Sequence, residues 1–310
     1  MYKYLPLIKS NYGKLLPEND ISKFDFFSMI TPENREEIVN KEAQFYRENH
    51  KGLYEEGVVE NRYININDHL RIKEYVSNKK ESSNCDGCFI FIHGGAFITC
   101  SVETHDFIPW YITKETGYKC YSIDYRLAPE FPYPFGLLDC KEALNWIYNN
   151  SSLLGIDKEK IVVSGDSSGG NIAAVLALMD RDDNSHMISR EVLFVPLVDV
   201  FAKIPKTSKE IYGWPVVDFA HIYCSEELAY DPYVSPLFCG DLSNICPTFF
   251  VQAECDGICD DGLYYAKKLK DFGIEVHSHI YEGVPHSFNV YAFKESINSL
   301  NDVCSYLKNN

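Results

Sequence analysis

The chain has 310 residues, of which 45% are hydrophobic and 14% aromatic, and a formal net charge of −16. The apolar share supports a sizeable packed core and excludes a disordered chain. The charge excludes a broad basic nucleic-acid face and attraction to anionic lipid. No run approaches the roughly 18 apolar residues needed to span a bilayer.

Residues 1 to about 58 read as helical and polar-rich. Within them, TPENREEIVNKEAQFYREN carries a helix start, with Thr31 as N-cap, Pro32 at the first helical position and acids in the first turn. It has no obvious strand partner and is expected to pack over the remainder as a lid. VVENRYININ and LRIKEYVS then flank DHL like a hairpin. GCFIFIHGG is a near-continuous apolar run, as in a strand buried on both faces. KCYSIDY repeats that character after a helical stretch near 103–116. The remaining elements are a helix at about 136–149, strand 160–164, helix 168–180, strands 190–196 and 247–253, helix 260–272, strand 275–281 and a last helix from about 287. This alternation predicts an α/β fold: a mostly parallel central sheet of about eight strands, helices on both faces and a helical cap. Residues 200–230 are longer than an ordinary connection and read as a second lid segment. The expected organisation is one domain over 1–310, with 1–58 and 200–230 as cap segments.

Lys3, Pro6 and Lys9 interrupt the N-terminal stretch that a signal peptide keeps apolar. The eleven cysteines are scattered through predicted core elements, as at Cys88, Cys120, Cys140 and Cys246, and read as reduced thiols used as small hydrophobes. Both observations point to a cytoplasmic protein. Cys85 and Cys88 make one lone Cys-x-x-Cys pair, too little for a zinc site.

Chemistry concentrates at IVVSGDSSGG, residues 161–170. Strand 160–164 runs into Gly165-Asp166-Ser167-Ser168-Gly169, and a helix begins there. Gly-x-Ser-x-Gly at a strand-to-helix turn is the pattern of a nucleophile elbow. Only Ser167 has glycines at both required positions; centring on Ser164 or Ser168 fails. The bland alternative is a serine N-cap on a Gly-rich turn, and the pattern alone does not decide between them. A phosphate loop is excluded, because neither Gly-Lys-Ser/Thr nor Gly-x-Gly-x-x-Gly is present.

A serine nucleophile needs a base, an orienting acid and an oxyanion site. FIHGGAF, residues 91–97, also ends a strand, and the small residues after His93 let backbone N–H groups point into a site together with the N–H of Ser168. Among nine histidines, His286 in YEGVPHSF follows the last strand, as the chain order Ser, acid, His requires. His277 and His279 alternate in a strand and read as packing or surface residues, and His105 as a local hydrogen-bonding residue. Asp256 directly follows strand 247–253 and is the expected acid; Asp260, at the next helix start, is the fallback.

Together these stretches resemble the hormone-sensitive-lipase-like family of α/β-hydrolases, which includes microbial and plant carboxylesterases. HGGAF at 93–97, DYRLAPEFPYP at 124–134, GDSSGGN at 165–171, DPYVSPL at 231–237, AECDGICDDG at 253–262 and GVPHSF at 283–288 carry the resemblance, in the family's order. It implies Ser167 as nucleophile, His286 as general base and Asp256 as its orienter. It further implies Gly95, Ala96 and Ser168 as oxyanion N–H donors, Gly94 as the residue shaping that loop, His93 as its support, and Arg126 with Glu130 in a structural network. Ala96 stands where a third glycine is common, Ser168 where alanine is common, and HSF where HGF is common. The implied activity is hydrolysis of small, short-acyl carboxylic esters through an acyl-enzyme, with no metal or organic cofactor. A small-molecule ester is the expected partner, and a homodimer is left open. The alternatives are another acyl hydrolase (lactonase, formamidase, amidase or peptidase) and a small-molecule receptor on the same fold. Plant gibberellin receptors of this kind have lost the histidine that His286 supplies here.

Overall fold

The structure, a computed structural model, describes residues 30–79, 86–204 and 217–309. Eight strands form one sheet: β1 (Val59–Asn65), β2 (Arg71–Ser77), β3 (Cys88–Ile92), β4 (Lys119–Asp124), β5 (Ile161–Asp166), β6 (Arg190–Phe194), β7 (Thr248–Cys255) and β8 (Val276–Pro285). Their order is β1-β2-β4-β3-β5-β6-β7-β8. Only β2 runs against the others, pairing antiparallel with β1 and β4. The helices are α1 (Pro32–Asn49), α2 (Phe107–Thr116), α3 (Phe135–Asn149), the single turn α4 (Ser151–Leu154), α5 (Ser168–Asp182), α6 (Val217–Tyr223), α7 (Cys259–Asp271) and α8 (Lys294–Asn309).

The unbroken apolar strands follow from helices on both faces. In β3, Ile90 and Ile92 point to one side and join Leu137, Leu144 and Ile147 of α3, Ile172 of α5 and Leu269 of α7. Phe89 and Phe91 point to the other, with Ile108 and Ile112 of α2 and Leu300 and Val303 of α8. Each such buried side chain contributes about 1.5–3 kcal/mol, so neither parity of the strand tolerates a polar residue without loss of core.

Strand order also places the site. The chain passes from β3 to β4 on one side, then crosses back over β3 to add β5 on the other. Ligand crevices form where the order reverses, at the carboxyl ends of the strands. Here that point lies between β3 and β5, where Ile92 pairs with Gly165. The turns that follow these strands are the two sequence motifs, HGGAF and GDSSGG.

Helix α1 starts as its sequence dictates, with Thr31 at the cap and the Thr31 N–H donating to Asn34 Oδ1 at 2.8 Å. It ends at Asn49, short of residue 58. The helix lies across loops at the carboxyl ends of the strands. Arg35 donates to the Ala128 carbonyl at 2.6 Å and grips Glu130 with both terminal nitrogens; Asn49 Oδ1 accepts the Ala292 N–H at 2.7 Å. Arg126 and Glu130 therefore serve two networks, since Arg126 is bidentate to Asp139 of α3 instead. In the second expected cap segment, residues 205–216 lie outside the described residues. Its α6 packs Tyr223 against Phe97, rings 3.7 Å apart and nearly parallel.

The last helix begins at Lys294, not near 287. Ser287 adopts a left-handed conformation (φ 52°), and a short 3-10 turn, Phe288–Val290, follows. Phe288, Tyr291 and Phe293 are all buried, and a chain that leaves the helical path sends all three inward. Cys85 lies outside the described residues, and Cys88 is buried in β3.

One buried acid makes the packing pH-sensitive. Glu191 of β6 is fully buried, with Oε2 accepting the Thr248 hydroxyl at 3.1 Å. Burial pushes its carboxyl up to about 8, against the lowering pull of Thr248. From the ordinary value of 4.5 to about 8, the native protein holds a proton that the unfolded chain releases, so this group costs stability as pH rises. Thermal unfolding of Glu191→Gln beside the parent is expected to show a Tm gap in favour of Gln that opens from about pH 5 to about pH 8, reaching roughly a few degrees. A gap independent of pH would contradict a protonated Glu191.

Candidate active site

The turn between β5 and α5 is held under strain. Ser167 sits at φ 54° and ψ −118°, a sparsely populated region for a residue with a side chain. Its surroundings impose this. The Ser167 N–H donates to the Phe194 carbonyl at 2.9 Å, and its carbonyl accepts N–H groups from Asn171 and Leu197, both at 3.0 Å. Asn171 braces the far side of that clamp, donating from Nδ2 to the carbonyls of Leu197 and Val234. The turn closes because no side chain stands in the way. A Cβ at Gly169 would lie 2.0 Å from the Ile92 carbonyl oxygen, and one at Gly165 2.3 Å from the Gly169 carbonyl carbon.

Of the three serines, Ser164 is buried inside β5. Ser167 carries its hydroxyl toward His286, with Oγ 2.8 Å from Nε2. Ser168 opens α5, and its hydroxyl accepts the Phe97 N–H at 3.2 Å. That side-chain tether goes beyond the backbone role expected of Ser168.

His286 stands just past β8 and faces Asp256 with its other nitrogen, Nδ1 to Oδ2 at 2.8 Å. Asp256 follows β7 and is 2% exposed; its Oδ1 accepts the Ile258 N–H at 2.9 Å. One carboxylate oxygen is thus anchored to the backbone while the other is aimed at the imidazole. An ionised carboxylate only accepts, so the proton of a neutral His286 sits on Nδ1 and leaves Nε2 as a base toward the Ser167 hydroxyl. The fallback acid, Asp260, lies instead in the first turn of α7.

The loop after β3 faces this group. Gly94 donates its N–H to Asp166 Oδ1 at 2.8 Å, which fits a shaping role. Gly95 (φ 115°) and Ala96 (φ 55°) take left-handed conformations, and the Gly95 carbonyl accepts from both Ile98 and Thr99. The positive φ at Ala96 is the physical reason that glycine suits this position. Among the described residues, the N–H groups of Gly95, Ala96 and Ser168 have no partner. His93 holds the loop from beneath, with Nδ1 2.7 Å from the Gly94 carbonyl and its ring stacked on Tyr125. Burial, reinforced by the charge of His105, lowers His93 to about 4 and keeps it neutral.

Three contributors escaped the sequence reading. His105 reaches Asp166 with Nε2 at 3.3 Å, a contact across 61 residues and not a local one. Glu42 of α1 approaches Cys100, which itself packs against Gly95; burial pushes the Glu42 carboxyl up to about 7, opposed by the charge of His105. The Ser168 hydroxyl is the third. No spacing rule reveals them, because each contact joins segments far apart in the chain. His277 and His279 lie on the surface beside Glu275 and Asp302. Among the described residues, no cluster of three His, Cys, Asp or Glu could hold a metal ion, and no helix is long and apolar enough to cross a membrane. Phe219 of α6 is buried in the core.

Comparison with known proteins points the same way. A family model described as the alpha/beta hydrolase fold matches residues 89–290. An arylesterase of Saccharolobus solfataricus is 35% identical over 226 residues, covering 71% of this chain and 72% of that protein. Lipase 2 of Moraxella sp. (strain TA144) is 31% identical over 244 residues, and the match covers 56% of the lipase, so the chain spans little more than half that relative's length. The structure of a hyperthermophilic esterase from the archaeon Pyrobaculum calidifontis superposes with a TM-score of 0.83 at 29% identity, covering 98% of each chain. Its eight-stranded sheet, its strand-to-helix serine turn and a family match over more than half its length establish that this chain belongs to the α/β-hydrolase fold family.

Proposed function

We propose that the protein is a carboxylic ester hydrolase that cleaves small, short-acyl esters through a covalent intermediate on Ser167. The observation that carries this reading is the unbroken contact chain Ser167 Oγ–His286 Nε2 and His286 Nδ1–Asp256 Oδ2, each 2.8 Å. The similarity to an arylesterase and to an esterase structure supports it.

In this reading Ser167 Oγ bonds to the ester carbonyl carbon while its proton passes to His286 Nε2. The carbonyl oxygen takes the negative charge and lies against the N–H groups of Gly95, Ala96 and Ser168. Asp256 stabilises the imidazolium. When the carbon–oxygen bond to the leaving group breaks, His286 returns the proton and an alcohol departs. Water then gives a proton to His286 and attacks the acyl-enzyme, and the acid product leaves as Ser167 recovers its hydrogen. Every proton is carried by His286, so the reaction requires no cofactor. Segments 1–58 and 200–230 cap the site, a role supported by the seating of α1 on the Ala128–Glu130 loop and of Tyr223 on Phe97. The fully buried thiols of Cys88, Cys120 and Cys140 suit the reducing cytoplasm.

Ser167→Ala is expected to lower kcat for p-nitrophenyl acetate by at least roughly a thousandfold and to abolish labelling by a fluorophosphonate probe. Activity retained within about threefold, or a parent protein that the probe leaves unlabelled, would overturn the nucleophile assignment. Asp256→Asn keeps the shape but favours the wrong imidazole tautomer, and a kcat loss approaching about ten-thousandfold is expected. Across a p-nitrophenyl ester series, kcat/KM should peak at short acyl chains. Faster hydrolysis of dispersed long-chain triglyceride than of soluble short esters would refute the substrate class.

A further inference from the structure

Asp166 is a buried acid that the mechanism above does not use. It is fully buried, and an ionised carboxylate in such a place needs partners. Burial pushes its carboxyl up, but His105, the Gly94 N–H and His93 together outweigh that and hold it below the ordinary range. The geometry identifies how. One side of the carboxylate accepts the Gly94 N–H at 2.8 Å, and His105 Nε2 lies 3.3 Å from both oxygens. Gly94 leads directly into Gly95 and Ala96, and a Cβ on Gly94 would sit 2.7 Å from the same carboxylate. The loop and the elbow are therefore in close contact through this one acid.

His105 is itself oriented. It is 4% exposed, and its Nδ1 lies 2.8 Å from the Thr104 hydroxyl. That hydroxyl has one hydrogen, which it donates to the Ser101 carbonyl at 2.8 Å, while its oxygen accepts the Ser101 N–H at 2.9 Å. The Asp166 carboxylate only accepts, so Nε2 presents a hydrogen to it. The ring bridges the Thr104 hydroxyl and the end of β5.

We infer that His105 is a positioning residue of the ester hydrolysis: by holding the Asp166 carboxylate it fixes the direction of the Asp166–Gly94 bond, and so aims the Gly95 and Ala96 N–H groups at the oxygen that becomes negative in the transition state. The inference rests on the reading of Ser167 and these N–H groups given under Proposed function. The Ser168 hydroxyl, on the Phe97 N–H, holds the far end of the same loop. His105 does not face Ser167 Oγ, which is occupied by His286. Its effect accordingly falls on the charge developed in the transition state and not on substrate binding, since small errors in placing such donors are costly in rate.

The test compares His105→Ala, His105→Gln and His105→Asn with the parent on p-nitrophenyl acetate, with rates normalised to active sites titrated by the fluorophosphonate. His105→Ala is expected to lower kcat by roughly 10- to 100-fold with KM within about threefold, and to weaken a trifluoromethyl ketone, whose adduct carries the oxyanion, by a similar factor. His105→Gln sets an amide N–H where Nε2 stood and should recover most of the loss; the shorter His105→Asn should not. A kcat within about threefold of the parent in His105→Ala, or a loss that appears only in KM with trifluoromethyl ketone affinity unchanged, would overturn the inference. If the alanine variant does not fold, the Gln-to-Asn comparison decides: equal kcat values refute the role, and a ratio of about ten or more in favour of Gln supports it. Full activity in Ser167→Ala would refute the underlying nucleophile; an inactive Ser167→Ala beside an unaffected His105→Ala would refute this inference alone.

Discussion

The first turn of α5 lies so near β5 and β3 that a methyl group on Gly165 or Gly169 would collide with main-chain atoms, and the geometry of the site depends on that approach. It brings the start of a 15-residue helix against the carboxyl ends of the two strands where the sheet order reverses. The unpaired N–H groups and positive end of the helix dipole then face the crevice. It also forces the backbone of Ser167 into its strained conformation, which costs on the order of 1–3 kcal/mol. The clamp from Phe194, Leu197 and Asn171 offsets that cost and keeps the hydroxyl raised above the turn.

Two buried carboxylates flank this serine and are built alike. Asp256 takes one backbone N–H, from Ile258, and one histidine, His286. Asp166 takes one backbone N–H, from Gly94, and one histidine, His105. In each pair the backbone bond anchors the acid and the acid orients an imidazole or is oriented by it. What separates their roles is where the histidine points. His286 turns its free nitrogen to Ser167 Oγ, whereas His105 turns its own to Thr104. In our reading the same device serves proton transfer on one side and loop placement on the other.

The loops around the site are tied to elements far away in the chain. Arg35 of α1 holds the Ala128–Glu130 segment, and Tyr133 N–H donates to the Tyr223 carbonyl of α6. Helices from both expected cap segments therefore meet HGGAF: Ala128, which Arg35 holds, donates its N–H to the Phe97 carbonyl, and Tyr223 stacks on the Phe97 ring.

The amino-acid sequence by itself determined the parts that are local. Apolar runs marked the buried strands, register singled out Ser167 from Ser164 and Ser168, and the order of Asp256 and His286 after their strands marked the remaining members of the group. These features were legible because each depends on residues within a few positions of one another, at a strand end or a glycine turn. Only the tertiary structure decided the rest. It set Arg126 and Glu130 in separate networks, began the last helix at Lys294 because Phe288, Tyr291 and Phe293 bury themselves first, and carried His105 and the Ser168 hydroxyl to their partners. The reason is physical: a hydrogen bond between distant segments is made by the strand order that brings them together, and no spacing along the chain encodes that distance.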